Sequence, residues 1–307
     1  MTERAAGSAA IPSVAWGTIA ALFTVTIWGG WIVATRFGVT SNLAPVEIAI
    51  LRTAPPGLIL LPVFFRIPWR TVRWRHIAAL IGGAGAPFLL IVSTGMQFAP
   101  TADIGALLPG TMPLFVALFA FMLLGERFDR WRMVGFVLII AGGLAVGGVS
   151  LFTGDPGEWR GHILFLCGAS MWAIYTIGLR QSGLDAWQAA AVVNTGSMLL
   201  LVPLALIFGD LHFDAPLRDI AIQIGAQGIL SGLLAMVAYG IAIRHLGASS
   251  AAAFSALTPV IATLIAVPVM AELPAPLTWV GVIAVCCGVA LASGVLRRRA
   301  ETQRVGR

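Results

Sequence analysis

Residues 105–146 read GALLPGTMPLFVALFAFMLLGERFDRWRMVGFVLIIAGGLAV, an apolar stretch with prolines near its start and a charged segment in its middle. Residues 255–291, SALTPVIATLIAVPVMAELPAPLTWVGVIAVCCGVAL, resemble it at a spacing of 146 positions. The informative matches are Pro113 with Pro259, Glu126 with Glu272, Gly135 with Gly281 and Gly142 with Gly288. Chance similarity is one explanation, because apolar helices share a small alphabet. The matched residue types favour an internal repeat.

The rest of the chain has the same apolar character. Of its 307 residues, 59% are hydrophobic and 10% are charged, whereas soluble domains average about 45–50% and about 25%. One membrane span needs about 20 apolar residues. We therefore predict an all-α polytopic membrane protein with ten spans, near residues 14–36, 45–65, 76–97, 102–124, 131–150, 160–180, 185–208, 218–243, 247–270 and 275–296.

The basic residues, all of them arginine, are distributed unevenly between the two sides of this topology. Cytoplasmic loops carry the excess of positive charge in membrane proteins. One side receives Arg4, Arg66, Arg70, Arg73, Arg75, Arg127, Arg130, Arg132, Arg180, Arg244, Arg297, Arg298, Arg299, Arg304 and Arg307. The other side receives Arg36, Arg160 and Arg218. Both termini are therefore predicted to be cytoplasmic, and the basic tail indicates contact with anionic lipids rather than with nucleic acid.

The repeat extends over the whole chain. At nearby spacings Trp28 aligns with Trp172, Trp31 with Tyr175 and Arg36 with Arg180. We predict a tail at 1–13, a first five-helix repeat at 14–150, a second at 151–296 and a basic tail at 297–307. Because each repeat has an odd number of spans, the second must be inverted relative to the first. Inverted repeats are typical of secondary transporters, whose substrate site lies between the halves.

Several other functions are excluded or disfavoured. A chain without lysine cannot build a Walker A phosphate site or form a Schiff base. The four histidines lack the spacing of a helical metal pair, and no mid-span histidine could activate Ser170. The cysteines Cys167, Cys286 and Cys287 lie in apolar stretches without a disulfide pattern. We expect no enzyme, cofactor or bound metal; an intramembrane enzyme is the alternative of a different class.

The two stretches quoted first resemble the hallmark half-repeat of the EamA-type drug/metabolite transporters, in which a proline-centred span, a terminal Gly-Glu and a glycine-rich span follow one another. Ala271 replaces the glycine in the second copy. APVEIAILR at 44–52 is similar to the family's second-span pattern. The resemblance implies ten helices in two inverted repeats around a central cavity, in a bacterial-type inner membrane, with export of small metabolites. The tryptophan-rich first and sixth spans resemble the aromatic amino-acid exporter branch.

A substrate cavity lined by aromatic and small polar side chains is expected between the halves. Thr24, Trp28 and Trp31 share a helix face by their spacing, as do Trp172 and Tyr175. Such rings could stack a side chain or receive an ammonium group; packing is the alternative. The expected lining residues are Thr24, Trp28, Trp31, Gln97, Leu108, Met112, Trp172, Tyr175, Asn194, Tyr239, Phe254, Ser255 and Thr258. Pro113 and Pro259 are candidate kinks. Seven tryptophans near span ends are expected to anchor the interface: Trp16, Trp69, Trp74, Trp131, Trp159, Trp187 and Trp279.

Intramembrane charge is scarce. Glu47 and Arg52 fall within a span, too far apart around the helix to pair directly. Arg52 could contact a substrate carboxylate or satisfy groups on neighbouring helices, because charge at that depth is costly unless compensated. At the span ends Glu126 with Arg180, and their equivalents Glu272 with Arg36, are candidate polar gates on opposite sides; solvated charges without mutual contact are the alternative.

The predicted substrate is an amino acid, aromatic or otherwise neutral. Another small solute, such as a nucleobase, a vitamin or an organic-cation drug, is the alternative. The sequence does not separate proton-coupled from facilitated export. Besides this substrate, the lipid bilayer is the expected partner. Gly143 and Gly147 form a G-x-x-x-G pattern that favours packing within one bundle over dimerisation, so a monomer is expected.

Overall fold

A computed structural model of the protein describes residues 10–38, 43–99, 101–147, 157–208, 211, 213, 215–270 and 276–294. All regular secondary structure in these residues is helical. The first half contains α1 (Ala10–Gly38), α2 (Pro45–Ile59), α3 (Leu61–Phe65), α4 (Trp74–Ala84), α5 (Ala86–Gly95), α6 (Thr101–Leu107), α7 (Met112–Leu124) and α8 (Arg130–Gly147). The second contains α9 (Trp159–Ser182), α10 (Ala186–Phe208), α11 (Leu217–Gln223), a π-helical segment (Ile224–Ala235), α12 (Met236–Leu246), α13 (Ala248–Ser255), α14 (Thr258–Met270) and α15 (Pro276–Ala292).

Each predicted span coincides with one helix or with consecutive helices. Five helical stretches of the described residues are long and apolar enough to cross a membrane: Val14–Trp31, Trp74–Gly95, Trp159–Ser182, Ala186–Ile207 and Leu217–Leu246. Met112–Leu124, Ala248–Ala262 and Trp279–Ala292 are shorter apolar helices. The helical content and these apolar stretches are those of a polytopic membrane protein.

Prolines explain why several predicted spans are divided into two helices. Pro62, Pro87, Pro113 and Pro259 lie in the first turns of α3, α5, α7 and α14, respectively. Proline is favoured in a first helical turn, where no helical partner for its amide is required, and is disfavoured inside a continuing helix. The sequence therefore ends one helix and begins the next in the middle of an apolar stretch.

Large apolar side chains cover the outside of the bundle. Leu217 is 84% exposed and Leu206 73% exposed, as expected of surfaces that face lipid rather than water. Six of the seven predicted anchor tryptophans are exposed: Trp16, Trp74, Trp131, Trp159, Trp187 and Trp279. The seventh, Trp69, is partly buried and packs on Phe64 with ring centroids 4.7 Å apart.

Helices α8 and α15 pack closely along a line of small residues that we call the glycine seam. A Cβ atom added to Gly135 would lie 2.7 Å from the Gly288 carbonyl oxygen, and one added to Gly142 would lie 2.7 Å from that of Gly281. The helices are antiparallel, because the earlier glycine of α8 meets the later one of α15. Gly135 is equivalent to Gly281 and Gly142 to Gly288 in the repeat, so the contact has the self-complementary pattern of a two-fold axis.

The glycine seam does not use the G-x-x-x-G pattern of Gly143 and Gly147, which the sequence favours as a packing surface of α8. A Cβ atom added to Gly143 would meet no atom of the described residues within 4 Å. The seam consists of Gly135 and Gly142, seven residues apart, with Ala292 beside Gly135. Two turns of a helix separate residues seven apart, so these glycines share one face, whereas Gly143 is turned away from it.

The seam gives a test of the fold. Gly135→Ala should lower the free energy of unfolding by about 1–3 kcal/mol, because its methyl group would overlap backbone atoms of α15. Gly143→Ala in the same helix is the matched control, with open space around the added carbon. Thermal unfolding in detergent measures both variants. Equal stability of Gly135→Ala and Gly143→Ala would contradict the close approach of α8 and α15.

Candidate substrate site

Five buried aromatic side chains meet in the interior and form what we call the aromatic cluster: Trp28 of α1, Phe88 of α5, Trp172 and Tyr175 of α9, and Tyr239 of α12. The Trp172 ring lies at the centre, with its centroid 5.1 Å from that of Trp28, 5.3 Å from Phe88, 5.1 Å from Tyr175 and 5.8 Å from Tyr239. Trp28 and Trp172 meet edge to face at 86°, an arrangement that ring quadrupoles favour.

Both halves of the chain contribute to this cluster, and equivalent residues touch at its centre. Trp28 and Trp172 occupy matching repeat positions and are in contact. Pro109 and Ser255 also match, and the Ser255 hydroxyl oxygen lies 3.1 Å from the Pro109 carbonyl oxygen and 2.7 Å from that of Ala252. Contacts between equivalent residues occur on or near a two-fold axis. The cluster therefore lies where the two halves meet.

A side chain of the second half lies next to the carbonyl that Pro113 leaves without a helical partner. Pro113 has no amide hydrogen, so the carbonyl of Pro109, four residues earlier, lacks its helical partner. The Ser255 hydroxyl of α13 lies within hydrogen-bond distance of this carbonyl, and it shares its one hydrogen with the nearer carbonyl of Ala252. Pro259 stands in the same relation to Ser255 in the second half. Pro109 and Ser255 thus lie at the contact between the two halves.

Most other predicted lining residues are buried with the cluster. Leu108, Met112 and Phe254 belong to the same apolar core. Thr24 is fully buried, and its hydroxyl oxygen lies 2.8 Å from the Ala20 carbonyl oxygen and 3.3 Å from that of Ala235. These side chains pack α1, α7 and α13 around the rings.

Two hydroxyl groups of the predicted site are buried without a hydrogen-bond partner in the part of the chain that the structure describes. They are the phenol of Tyr175 and the hydroxyl of Thr258. The neighbouring Tyr239 differs, because its hydroxyl oxygen lies 3.3 Å from that of Thr176. A buried polar group without a partner is costly. Tyr175 and Thr258 are therefore the two hydroxyl-bearing residues of the predicted lining whose hydroxyls have no protein partner among the described residues.

Two predicted polar contacts lie elsewhere. The Asn194 amide donates to the carbonyls of Ala190 and Gly232, both at 2.9 Å, and so joins α10 to the π-helical segment. Gln97 follows the end of α5 and is exposed, because the helix ends at Gly95 rather than at 97. The structure thus gives Asn194 a helix-bridging contact and leaves Gln97 outside the aromatic cluster.

The two intramembrane charges have different environments. Glu47 is buried, and its carboxylate accepts from the backbone amides of Ala44 and Phe213, each at 2.8 Å. It caps the start of α2 and ties it to the segment before α11. Arg52 is 7% exposed; its Nη1 donates to Gln227 Oε1 at 3.3 Å, and its Cζ lies 5.8 Å from the centroid of Trp31.

The predicted partners Glu126 and Arg180 are in contact at one end of the bundle. Ser249 of α13 donates to the second carboxylate oxygen of Glu126 at 2.8 Å. Burial alone would raise the pKa of Glu126, but the hydrogen bonds from Arg180 and Ser249 and the charges of Arg180 and Arg132 outweigh it and lower that pKa below its usual value. We call Glu126, Arg180 and Ser249 the end cluster; it links the two halves. Of their repeat partners, Glu272 and the side chain of Arg36 lie outside the described residues.

The sequence did not suggest a second polar group, which the structure places between α6 and α9. His162 Nε2 lies 2.9 Å from Oδ2 of the fully buried Asp103. Glu158 brings a third ligand-type atom, and the three lie within 4.8 Å of one another. Asp103 is the repeat equivalent of Ser249, so comparison of the two halves could have pointed to it.

The sequence also did not predict Phe88, Gln227 and Ser231 as interior contacts, because a single aromatic, amide or hydroxyl side chain in an apolar span has no distinctive pattern.

An all-helical membrane fold in which both halves of the chain contribute to one interior aromatic cluster is typical of transporters. The EamA-like transporter family matches residues 15–147 and 159–294. The chain belongs to this family.

Proteins of similar sequence are described as transporters. The chain is 26% identical to the "uncharacterized inner membrane transporter YedA" of Escherichia coli over 91% of its own length and 90% of the relative's. It is 27% identical to a "probable terminal-alkyne amino-acid exporter" of Streptantibioticus cattleyicolor, over 94% and 97%, respectively. A solved crystal structure has the same fold, with a TM-score of 0.75 at 20% identity over 92% of this chain and 98% of the other. The protein is an integral membrane protein of transporter type.

Proposed function

We propose that the protein is a secondary transporter that exports amino acids with aromatic or other neutral side chains by alternating access. The observation that carries this proposal is the aromatic cluster, which is built from both halves and centred on equivalent tryptophans. Rocking of one half against the other would open such a site first to one side and then to the other. The relative described as an amino-acid exporter supports the choice of substrate.

The proposal includes the topology predicted from the arginines. Ten spans would form two inverted repeats, residues 14–150 and 151–296, with both termini in the cytoplasm. The antiparallel glycine seam supports the inverted relation. The end cluster would then close the cytoplasmic side. The proposal includes a monomer as the working unit.

Export of another small solute is the second candidate. Organic cations are disfavoured by the site, because no carboxylate of the described residues belongs to the aromatic cluster. A nucleobase or a vitamin would stack on the same rings. The experiment must therefore compare solute classes directly.

Purified protein in proteoliposomes tests the proposal by counterflow. Vesicles are loaded with unlabelled L-phenylalanine, L-leucine, uridine or choline, and entry of the same labelled solute is measured against protein-free vesicles. Accumulation of labelled phenylalanine or leucine is expected. Robust counterflow of uridine or choline with none of either amino acid would overturn the proposed function.

A further inference from the structure

Arg52 carries a buried charge that the described part of the chain does not compensate. No carboxylate of these residues lies within salt-bridge distance of its guanidinium. The acidic residue of the same helix, Glu47, is engaged with the backbone amides of Ala44 and Phe213. A guanidinium has five N–H donors, and the polar contact seen here is one bond to Gln227. A buried cation is costly unless it is paired, so this position calls for an anion.

The backbone around Arg52 is shaped by two prolines. Pro55 and Pro56 lack amide hydrogens, so the carbonyls of Leu51 and Arg52 have no helical partner. Both carbonyls face glycines of the π-helical segment. A Cβ atom at Gly228 would lie 2.9 Å from the Leu51 oxygen, and one at Gly232 would lie 2.6 Å from the Arg52 oxygen. Side chains at these two glycines would force the segment away from α2.

This close approach brings Gln227 to the guanidinium and places Ser231 four residues further along the same segment. Residues four apart lie on the same side of a helix. Ser231 is 1% exposed, and its hydroxyl has no hydrogen-bond partner among the residues that the structure describes. A buried guanidinium, together with an unpartnered hydroxyl on the same side of the segment as its partner Gln227, offers a set of donors that suits a carboxylate. Helices of the π type recur at functional sites.

The position of Trp31 connects this group to the aromatic cluster. Trp31 lies against the Arg52 guanidinium, and Trp28, three residues earlier on α1, contacts Trp172. Residues three apart are neighbours on one helix face. A solute with an aromatic or apolar group among the rings and a carboxylate a few bonds away would reach both places.

We propose that Arg52, with Gln227 and Ser231, binds the carboxylate of the exported solute, and that the transporter therefore requires a free carboxylate in its substrates. This inference rests on the proposed function and narrows it. Amino acids and other small carboxylates satisfy the requirement; amines, amino-acid amides and nucleobases do not.

Competition in the counterflow assay tests the requirement. Unlabelled L-phenylalanine, 3-phenylpropionate and L-phenylalaninamide compete against labelled L-phenylalanine. The first two share a carboxylate and should compete, whereas the amide, which lacks it, should bind at least about tenfold more weakly. Equal competition by the amide would overturn the carboxylate site and leave amino-acid transport intact. Transport of the amide without transport of phenylalanine would overturn both proposals.

Variants provide an independent test. Arg52→Gln could impair folding, so the decisive change is Gln227→Glu, which adds a carboxylate beside Arg52 with little change in shape. This internal anion should occupy the guanidinium and raise the half-saturating concentration of L-phenylalanine at least about tenfold, while thermal stability is kept or increased. Gln97→Glu makes the same exchange at an exposed residue outside the aromatic cluster, so it is the matched control and should retain wild-type affinity. Wild-type affinity in Gln227→Glu would overturn the proposal.

Discussion

Replacement of Trp172 by alanine is expected to reduce amino-acid counterflow by at least about tenfold, because several ring contacts of about 0.5–1.5 kcal/mol each are lost together. The Trp172 ring contacts Trp28, Phe88, Tyr175 and Tyr239, and it is 2% exposed. No other ring of the aromatic cluster has as many ring partners in the described structure. Initial rates in proteoliposomes, at equal amounts of inserted protein, measure the effect.

Two further variants separate transport from folding. Trp172→Phe keeps an aromatic face and should retain part of the rate even if the alanine variant is unstable. Trp187→Ala removes a tryptophan that is 47% exposed and should leave the rate unchanged. Wild-type kinetics in a folded Trp172→Ala protein would reassign Trp172 to packing alone.

Glu126→Gln and Arg180→Gln are each expected to slow counterflow by about fivefold, the effect of roughly 1 kcal/mol for a partly exposed charge pair. Their contact joins the end of the first half to the second half, so its loss should destabilise the state in which this end is closed. The double variant should be no slower than either single variant, because both remove the same interaction. Transport rates of the three proteins test this expectation.

The neighbouring Arg127 is exposed and provides the matched control, since Arg127→Gln should transport normally. Normal flux from Glu126→Gln or from Arg180→Gln would show that the end cluster does not act as a gate. Exchange of the two charges, Glu126→Arg with Arg180→Glu, should recover part of the rate if their mutual contact is what matters.

The pH dependence of this gate has a defined sign. The pKa of Glu126 is lowered in the folded protein, so the pair stabilises the closed end at any pH above the usual carboxyl value of about 4.3. That stabilisation is lost as the pH falls through the lowered folded value. The contribution of Glu126 should therefore stay constant between neutral and mildly acidic pH, and a pH dependence of transport in that range would have to arise from other groups.

The sequence predicted the helical membrane fold well for physical reasons. Spans are set by apolar length, and prolines such as Pro113 and Pro259 are visible in the sequence with defined consequences for helices. The repeat also relates Trp28 to Trp172 in the sequence, and the two rings are in contact in the structure. What could not be predicted was the internal division of the spans and the π-helical segment, because periodicity is weak in helices that are apolar on all sides.

Contacts between residues that are far apart in the sequence could not be predicted either. Arg52 and Gln227 are 175 positions apart, and no pattern within either span relates them. The glycines of α8 are a second example. The spacing of Gly143 and Gly147 predicts a packing face that the α8–α15 contact does not use. A short motif defines a possible surface, but only the packing of helices decides which surface is occupied.

The glycine seam also has an evolutionary consequence. Gly135 meets Gly288 while Gly142 meets Gly281, so the contact of one glycine pair is repeated by the equivalent pair. A five-helix ancestor carrying this one pair of glycines could associate with an upside-down copy of itself along the same line. Fusion of two such genes would then keep the same interface between the two copies. Each half could afterwards acquire its own polar residues, as the difference between Asp103 and Ser249 illustrates.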